Sequence, residues 1–201
     1  MTMETADAVL AFWFGSELDD SKTAAQQNQL WWAKDTAVDQ AISARFKTST
    51  LAAANGELDE WASQPRDLLA LILLTDQFPR NMYRGLPTSF AFDALALQWS
   101  LIALDHGFER HLRPIERVFL YLPLEHSEVL EHQHRCVQLF EELLADVPAA
   151  QKETFSGFVQ FAIKHRDIVA RFGRFPHRNA IFGRESTEEE LAFLQTAGSS
   201  F

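Results

Sequence analysis

The stretch Leu68–Leu74 is apolar on nearly every side of a helix. A helix of that kind must be covered all round, so it belongs at the centre of a helical protein rather than on its surface. Ser63-Gln64-Pro65 supplies its start, a polar cap followed by a proline whose missing N–H costs nothing at an early helical position. Phe78-Pro79 reads as its stop. A second, similarly apolar helix is expected from Pro87 through Phe90, Leu95, Leu97, Trp99 and Ile102 to Gly107. The two enclose the short polar segment Arg80-Asn81.

The rest of the chain has the same character. Val9, Leu10, Phe12, Trp13 and Phe14 form a short helix closed by Gly15, and Leu30, Trp31 and Trp32 belong to a second element. Val38, Ile42 and Phe46 recur at helical spacing between a cap at Asp35 or Thr36 and the stop Asn55-Gly56. Pro114 opens a further helix that Pro123 should kink or interrupt. Amphipathic patterns continue through Val129–Leu144 and Phe155–Phe172. Ser186/Thr187 with Glu189/Glu190 form a capping box for a last helix. No stretch alternates like a strand. These signals predict an all-α fold of eight or nine helices, in one domain over residues 1–201. Short connections favour antiparallel pairs stacked side by side.

The formal charge of −10 argues against non-specific binding of nucleic acid or an anionic membrane surface. No apolar run reaches the ~20 residues of a membrane span, and no cationic leader precedes an apolar stretch at the start. The lone Cys136 excludes an internal disulfide, which makes a reducing cytoplasm the expected compartment. Seventeen Phe and five Trp imply a core of large rings, with Trp13, Trp31 and Trp32 as a candidate interface if the chain forms a homo-oligomer.

One phrase occurs twice, as Phe78-Pro79-Arg80-Asn81 and as Phe175-Pro176-His177-Arg178-Asn179, followed respectively by Arg84-Gly85 and Gly183-Arg184. The second copy lies in a basic segment holding Lys164, Arg166, Arg171, Arg174, Arg178 and Arg184 against Asp167 alone. Two readings compete. In the structural one the arginines tie helices together by pairing with Glu125, Glu128, Asp76 or Asp93, and Asp167 pairs with Arg171 four residues on. In the functional one Arg80, Arg84, Arg174, His177, Arg178 and Arg184 surround a recessed anion, with Asn81 and Asn179 as neutral orienting groups. Asp76 sits inside a very apolar helix and must be paired or protonated, with Arg80 the nearest partner. His165 falls on the apolar face of its helix.

Glu125-His126-Ser127-Glu128 with Glu131, His132 and His134 is a second polar cluster. Glu131 and His134 have the spacing of half a di-iron site, but the chain lacks the second Glu-x-x-His helix. Glu128 and His132 could hold zinc only with outside help, so the favoured reading is a solvated face with no metal and no cofactor. There is no glycine-rich phosphate loop, zinc-binding His-Glu-x-x-His or serine elbow. Cys136, on an apolar stripe, reads as inert core.

These strings resemble a known family. Phe12-Trp13-Phe14-Gly15, Trp31-Trp32, Asp76–Asn81 with Tyr83-Arg84-Gly85, Phe119–Glu128 and Arg171–Asn179 with Gly183-Arg184 are similar to the bacterial family called domain of unknown function 924, over nearly the whole chain. The resemblance implies an all-helical fold like tetratricopeptide-repeat superhelices and implies no activity. The chain lacks the 34-residue repeat consensus, which weakens any parallel with peptide-gripping repeats.

Three functions follow as expectations. The favoured one is a helical protein whose polar cleft binds a small anion (a carboxylate or phosphate) or an acidic peptide terminus. The second is an enzyme acting on an anionic small molecule, with Asp76, Glu125, His126 or His165 as acid–base groups. The third is a non-catalytic scaffold or homo-oligomer.

Overall fold

A computed structural model describes residues 3–199. Eleven α-helical segments appear among them: α1 (Ala6–Phe14), α2 (Asp20–Trp32), α3 (Thr36–Ala54), α4 (Pro65–Ile72), α5 (Phe78–Met82), α6 (Asp93–Asp105), α7 (Pro114–Glu125), α8 (Leu130–Asp146), α9 (Lys152–Phe172), α10 (Asn179–Phe182) and α11 (Glu188–Leu194). Short 3-10 turns supply half of the connections, and the described residues contain no strand. The fold is all-α, with more and shorter pieces than the eight or nine expected.

Leu68–Leu74 is fully buried at the centre, as its all-round apolar character requires. α1 and α3 cover one part of the α4–α5 rod and α6 and α7 another, while α7, α8 and α9 pack successively side by side. Rings fill the space between them. Trp13, Phe46, Phe78 and Phe119 are buried, and the Trp31 indole N–H donates to the Trp13 carbonyl at 2.9 Å. Each such side chain contributes roughly 1.5–3 kcal/mol of burial. Trp13 and Trp31 therefore belong to the core and form no subunit interface; Trp32 is half exposed. Cys136 is buried in the same core.

The rod corrects the expectation for Pro79. The chain does not stop there: α4 passes through a π-helical turn, Leu73–Gln77, directly into α5. Proline has no N–H to give and its ring clashes with the carbonyl one turn earlier in an ordinary helix. Widening the preceding turn relieves that clash. The Phe78 amide reaches back five residues to the Leu73 carbonyl. Side chains also serve this turn's backbone: Thr75 Oγ1 donates to the Leu71 carbonyl at 2.7 Å, and Arg80 Nη1 to that of Asp76 at 2.7 Å. Asp76 and Gln77 thus sit inside the core on an irregular turn. Pro123 likewise does not interrupt α7, where Ser100 Oγ donates to the Leu120 carbonyl at 2.6 Å.

After α9 the chain changes character. Gly173, at φ 69°, closes the helix in a left-handed conformation that a side chain would strain. Phe175, Ile168 and Val169 form a second, smaller apolar cluster with Phe172, Phe193 and Leu130 packed against it. The second Phe-Pro copy lies here, in a 3-10 turn over Pro176–Arg178.

Candidate functional site

The two copies meet. Arg80, from α5, forms a two-pronged bond to Asp93 at the start of α6, 2.9 and 3.0 Å. Arg178 approaches the same Asp93 Oδ2 at 3.6 Å and donates from Nη1 to the His126 carbonyl at 3.0 Å. The His126 ring lies on Asp76 Oδ1 at 2.8 Å, and Arg80 Nη2 reaches that same oxygen at 3.5 Å. The contacts close a ring: Asp76, Arg80, Asp93, Arg178, His126 and back to Asp76. It joins segments separated by a hundred residues.

Burial grades across this ring. The Asp76 side chain has no exposure, Arg178 has 8%, His126 14%, Arg80 20% and Asp93 22%. Aromatic faces line it. Arg178 lies between Phe90 and Phe175, 4.8 and 4.7 Å from their centroids, and Arg80 lies 5.5 Å from Phe90. Phe182, partly exposed, packs on Phe90 at 5.4 Å.

The charges follow from this geometry. Burial would push the Asp76 carboxyl up, but the Arg80 guanidinium and the His126 ring outweigh it and hold the group ionised, below the usual carboxylate range. Gln77 also donates to Asp76. The imidazole of His126 is pushed down, first by burial and then by Arg80. An ionised Asp76 beside a neutral imidazole places the ring proton on Nδ1, donating to Oδ1. Burial and the Asp76 charge push Glu125 up to about 8, and burial pushes its neighbour His165 down to about 3. Their 3.2 Å contact is therefore a neutral one near pH 7, not an ion pair. His165 Nδ1 lies 2.9 Å from the Phe161 carbonyl and donates to it. His177 is pushed down to about 4 by burial and by Arg178.

Of the ring's two arginines, Arg178 is the less compensated. Burial and then the Arg80 charge pull it down to about 10, its Nε has no hydrogen-bond partner among the described residues, and Asp93 already serves Arg80.

The remaining expected site residues disperse. Arg84 forms a two-pronged bond to Asp39, 2.8 Å each, and Asn81 donates to the same carboxylate at 2.9 Å. Arg174 pairs with Glu190 at 2.7 and 2.8 Å, and Asn179 donates to Glu190 and Ser186. Arg184 pairs with Glu128 at 2.6 and 2.9 Å, while Glu128 Oε1 also accepts from the Phe175 amide. Only Arg80 and Arg178 share one junction with His126. The expected Asp167–Arg171 pair is replaced: Asp167 pairs with Arg166 and Arg171 with Glu189. Arg166 is the adjacent residue on the same helix, and α11 brings Glu189 to Arg171.

Sequence reasoning missed Asp39 and Glu190 as the partners of Arg84 and Arg174. It also missed Gln133, whose amide caps the end of α7 by donating to the Glu125 and Ser127 carbonyls at 2.7 and 2.6 Å. The capping-box glutamate was visible, its second role towards Arg174 was not. No group of three or more metal-ligating side chains occurs among the described residues. Among them, no helix is long and apolar enough to cross a membrane. Two open concavities, of about 370 and 340 Å³, lie beside Trp61 and Arg171 respectively and include none of the ring.

Comparison with known proteins agrees with the fold. A solved structure, described as the protein of unknown function ATU0120 from Agrobacterium tumefaciens, is 38% identical. It superimposes with a TM-score of 0.74, covering 88% of this chain and 99% of that one. No curated protein matches. The family profile described as "Bacterial protein of unknown function (DUF924)" matches residues 9–198, and the chain, with Arg80 and Arg178 of its two Phe-Pro phrases joined through Asp93, belongs to that family.

Proposed function

We propose that the junction of the two phrases binds a small anion, a carboxylate or a phosphate group, with Arg178 as its principal donor and Arg80 as its second. The supporting observation is Arg178 itself: a nearly buried guanidinium 4.8 and 4.7 Å from the Phe90 and Phe175 ring centroids, its Nε buried without a hydrogen-bond partner and its carboxylate a shared one at 3.6 Å. A guanidinium fixed in that way is pre-organised for a planar or tetrahedral oxyanion. Arg84, Arg174 and Arg184 already hold two-pronged carboxylates and act as structural ties. The anion's partner surface is the rim of Phe90 and Phe182, so a ligand with an apolar group beside its charge fits best, an acidic peptide terminus included. We read the side-by-side run α6–α9 as the repeat-like part of the fold and the cytoplasm as its compartment.

Titration calorimetry against inorganic phosphate, sulfate and a panel of small carboxylates tests this reading. Binding is expected for the native protein and for Arg84→Ala, and its loss for Arg178→Ala. Flat titrations of the native protein would overturn it.

A second reading has one observation in its favour. A buried carboxylate on Nδ1 of His126 is the arrangement that orients an imidazole for proton transfer. In that reading the arginines hold an anionic substrate while His126 moves a proton, with Glu125 protonated alongside. Turnover abolished by His126→Asn with ligand affinity retained would support it; identical turnover in that variant would exclude it.

A further inference from the structure

We infer that His126 makes the junction selective for anions bearing a hydroxyl donor beside the charge, such as hydrogenphosphate or a 2-hydroxycarboxylate, over sulfate or a plain carboxylate. The inference rests on the anion reading above and adds what the anion must carry.

The geometry supplies the argument. Asp76 is fully buried and fixed from three sides, by Gln77, Arg80 and His126. Its Oδ1 lies 2.8 Å from His126 Nδ1, so that nitrogen carries the ring proton and donates it. The other nitrogen, Nε2, is then a lone-pair acceptor. It makes no hydrogen bond with any described residue, and it is not among the polar atoms sealed from solvent without a partner. The ring is mostly buried, at 14% exposure, and Nε2 is the acceptor it offers to a ligand at the junction of Arg80 and Arg178. Both arginines belong to the same closed ring: Arg80 through the shared Asp76 oxygen, Arg178 through the His126 carbonyl.

An anion with only lone pairs satisfies the guanidiniums but turns an oxygen towards Nε2, acceptor against acceptor. An anion with an adjacent O–H satisfies both at once. Leaving a shielded acceptor unmatched typically costs enough to change affinity about tenfold. Because the discrimination comes from the tautomer, it does not depend on ligand charge. Hydrogenphosphate and sulfate are both dianions at mildly alkaline pH, and glycolate and acetate are both monoanions, so each pair isolates the O–H.

Calorimetry of the native protein with those two pairs is the test. The expected result is phosphate over sulfate, and glycolate over acetate, by about tenfold. His126→Asn keeps an N–H to donate to Asp76 but has nothing at the Nε2 position, and should shrink both preferences to less than about twofold. Equal affinities within each pair in the native protein overturn the selectivity and leave anion binding standing. No binding of any of the four overturns anion binding itself, and this inference with it. Nitrogen NMR of the histidine rings gives a readout independent of any variant: His126 should show the Nδ1–H tautomer, and the Nε2–H tautomer would contradict the proposal.

Discussion

The first Phe-Pro-Arg-Asn copy lies within a continuous buried rod, whereas the second lies beyond the end of α9, in a 3-10 turn over a small apolar cluster. Similar residues, with His177 inserted in the second copy, thus take different conformations, and what precedes each copy differs too. Seven consecutive apolar residues carry the helix through Pro79 by way of a widened turn. Gly173 ends α9 before Pro176 is reached. The electrostatics differ too. Arg80 has a two-pronged carboxylate and a second close by, while Arg178 has a share in one. The first copy is a structural tie with a charged edge; the second carries the more loosely paired cation.

The largest effect expected from this contrast is at Asp76. Asp76→Ala leaves Arg80 and His126 around an empty position in the core, and removal of one member of a buried charged set costs about 3–5 kcal/mol. Urea unfolding would measure it; a loss under about 1 kcal/mol would mean the rod tolerates the uncompensated charge.

In the second copy the corresponding residue is Glu190, which binds Arg174, Asn179 and the Thr187 amide together. Arg174 is partly exposed, so Glu190→Ala should cost less, about 2 kcal/mol, and locally. Hydrogen exchange should quicken in α10 and α11 while α4 amides stay protected. Uniform quickening would erase the distinction between the two regions.

Stability should also fall with pH in a defined window. Glu125 keeps its proton when folded up to about 8 but loses it near the ordinary value of 4.5 when unfolded. Between those values the folded state binds more protons, so stability declines as pH rises. His126, His165 and His177, all pushed down, work the other way: the stability they contribute is lost as pH falls below their ordinary 6.5. From 6.5 to about 8 the Glu125 effect stands alone among these, with a decline of up to about 2 kcal/mol. Glu125→Gln should flatten that limb. Its persistence would place the titration elsewhere.

The smallest effect belongs to Arg84, whose pair with Asp39 is partly exposed. Arg84→Ala should cost less than about 1 kcal/mol and leave anion affinity unchanged.

Much of this was legible in the residues. The all-helical fold followed from periodicity and from the absence of alternating stretches, and the caps at Asp35 and Thr187 accept the expected amides. Arginine pairing with Asp76, Asp93 and Glu128 was anticipated among its candidate partners. Glu125 was expected in that set and instead contacts His165, because it points into the core behind the ring. The π-helical turn left no sequence signature, since proline after an apolar run ends most helices. The partition of seven candidate residues among Asp93, Asp39, Glu190 and Glu128 was equally hidden. Sequence spacing reports neighbours along one helix, and these partners come from different helices.

The central claim is that Arg178 is only loosely paired at the junction, through a carboxylate that Arg80 holds more closely. Phosphate affinity of Asp93→Asn against the native protein tests it most directly. Removing that carboxylate frees Arg178 and leaves Arg80 with Asp76, so the account predicts binding tighter by about tenfold despite a loss of stability. A variant that loses stability and gains no affinity would show the ring to be a structural tie alone, with no anion site at its centre.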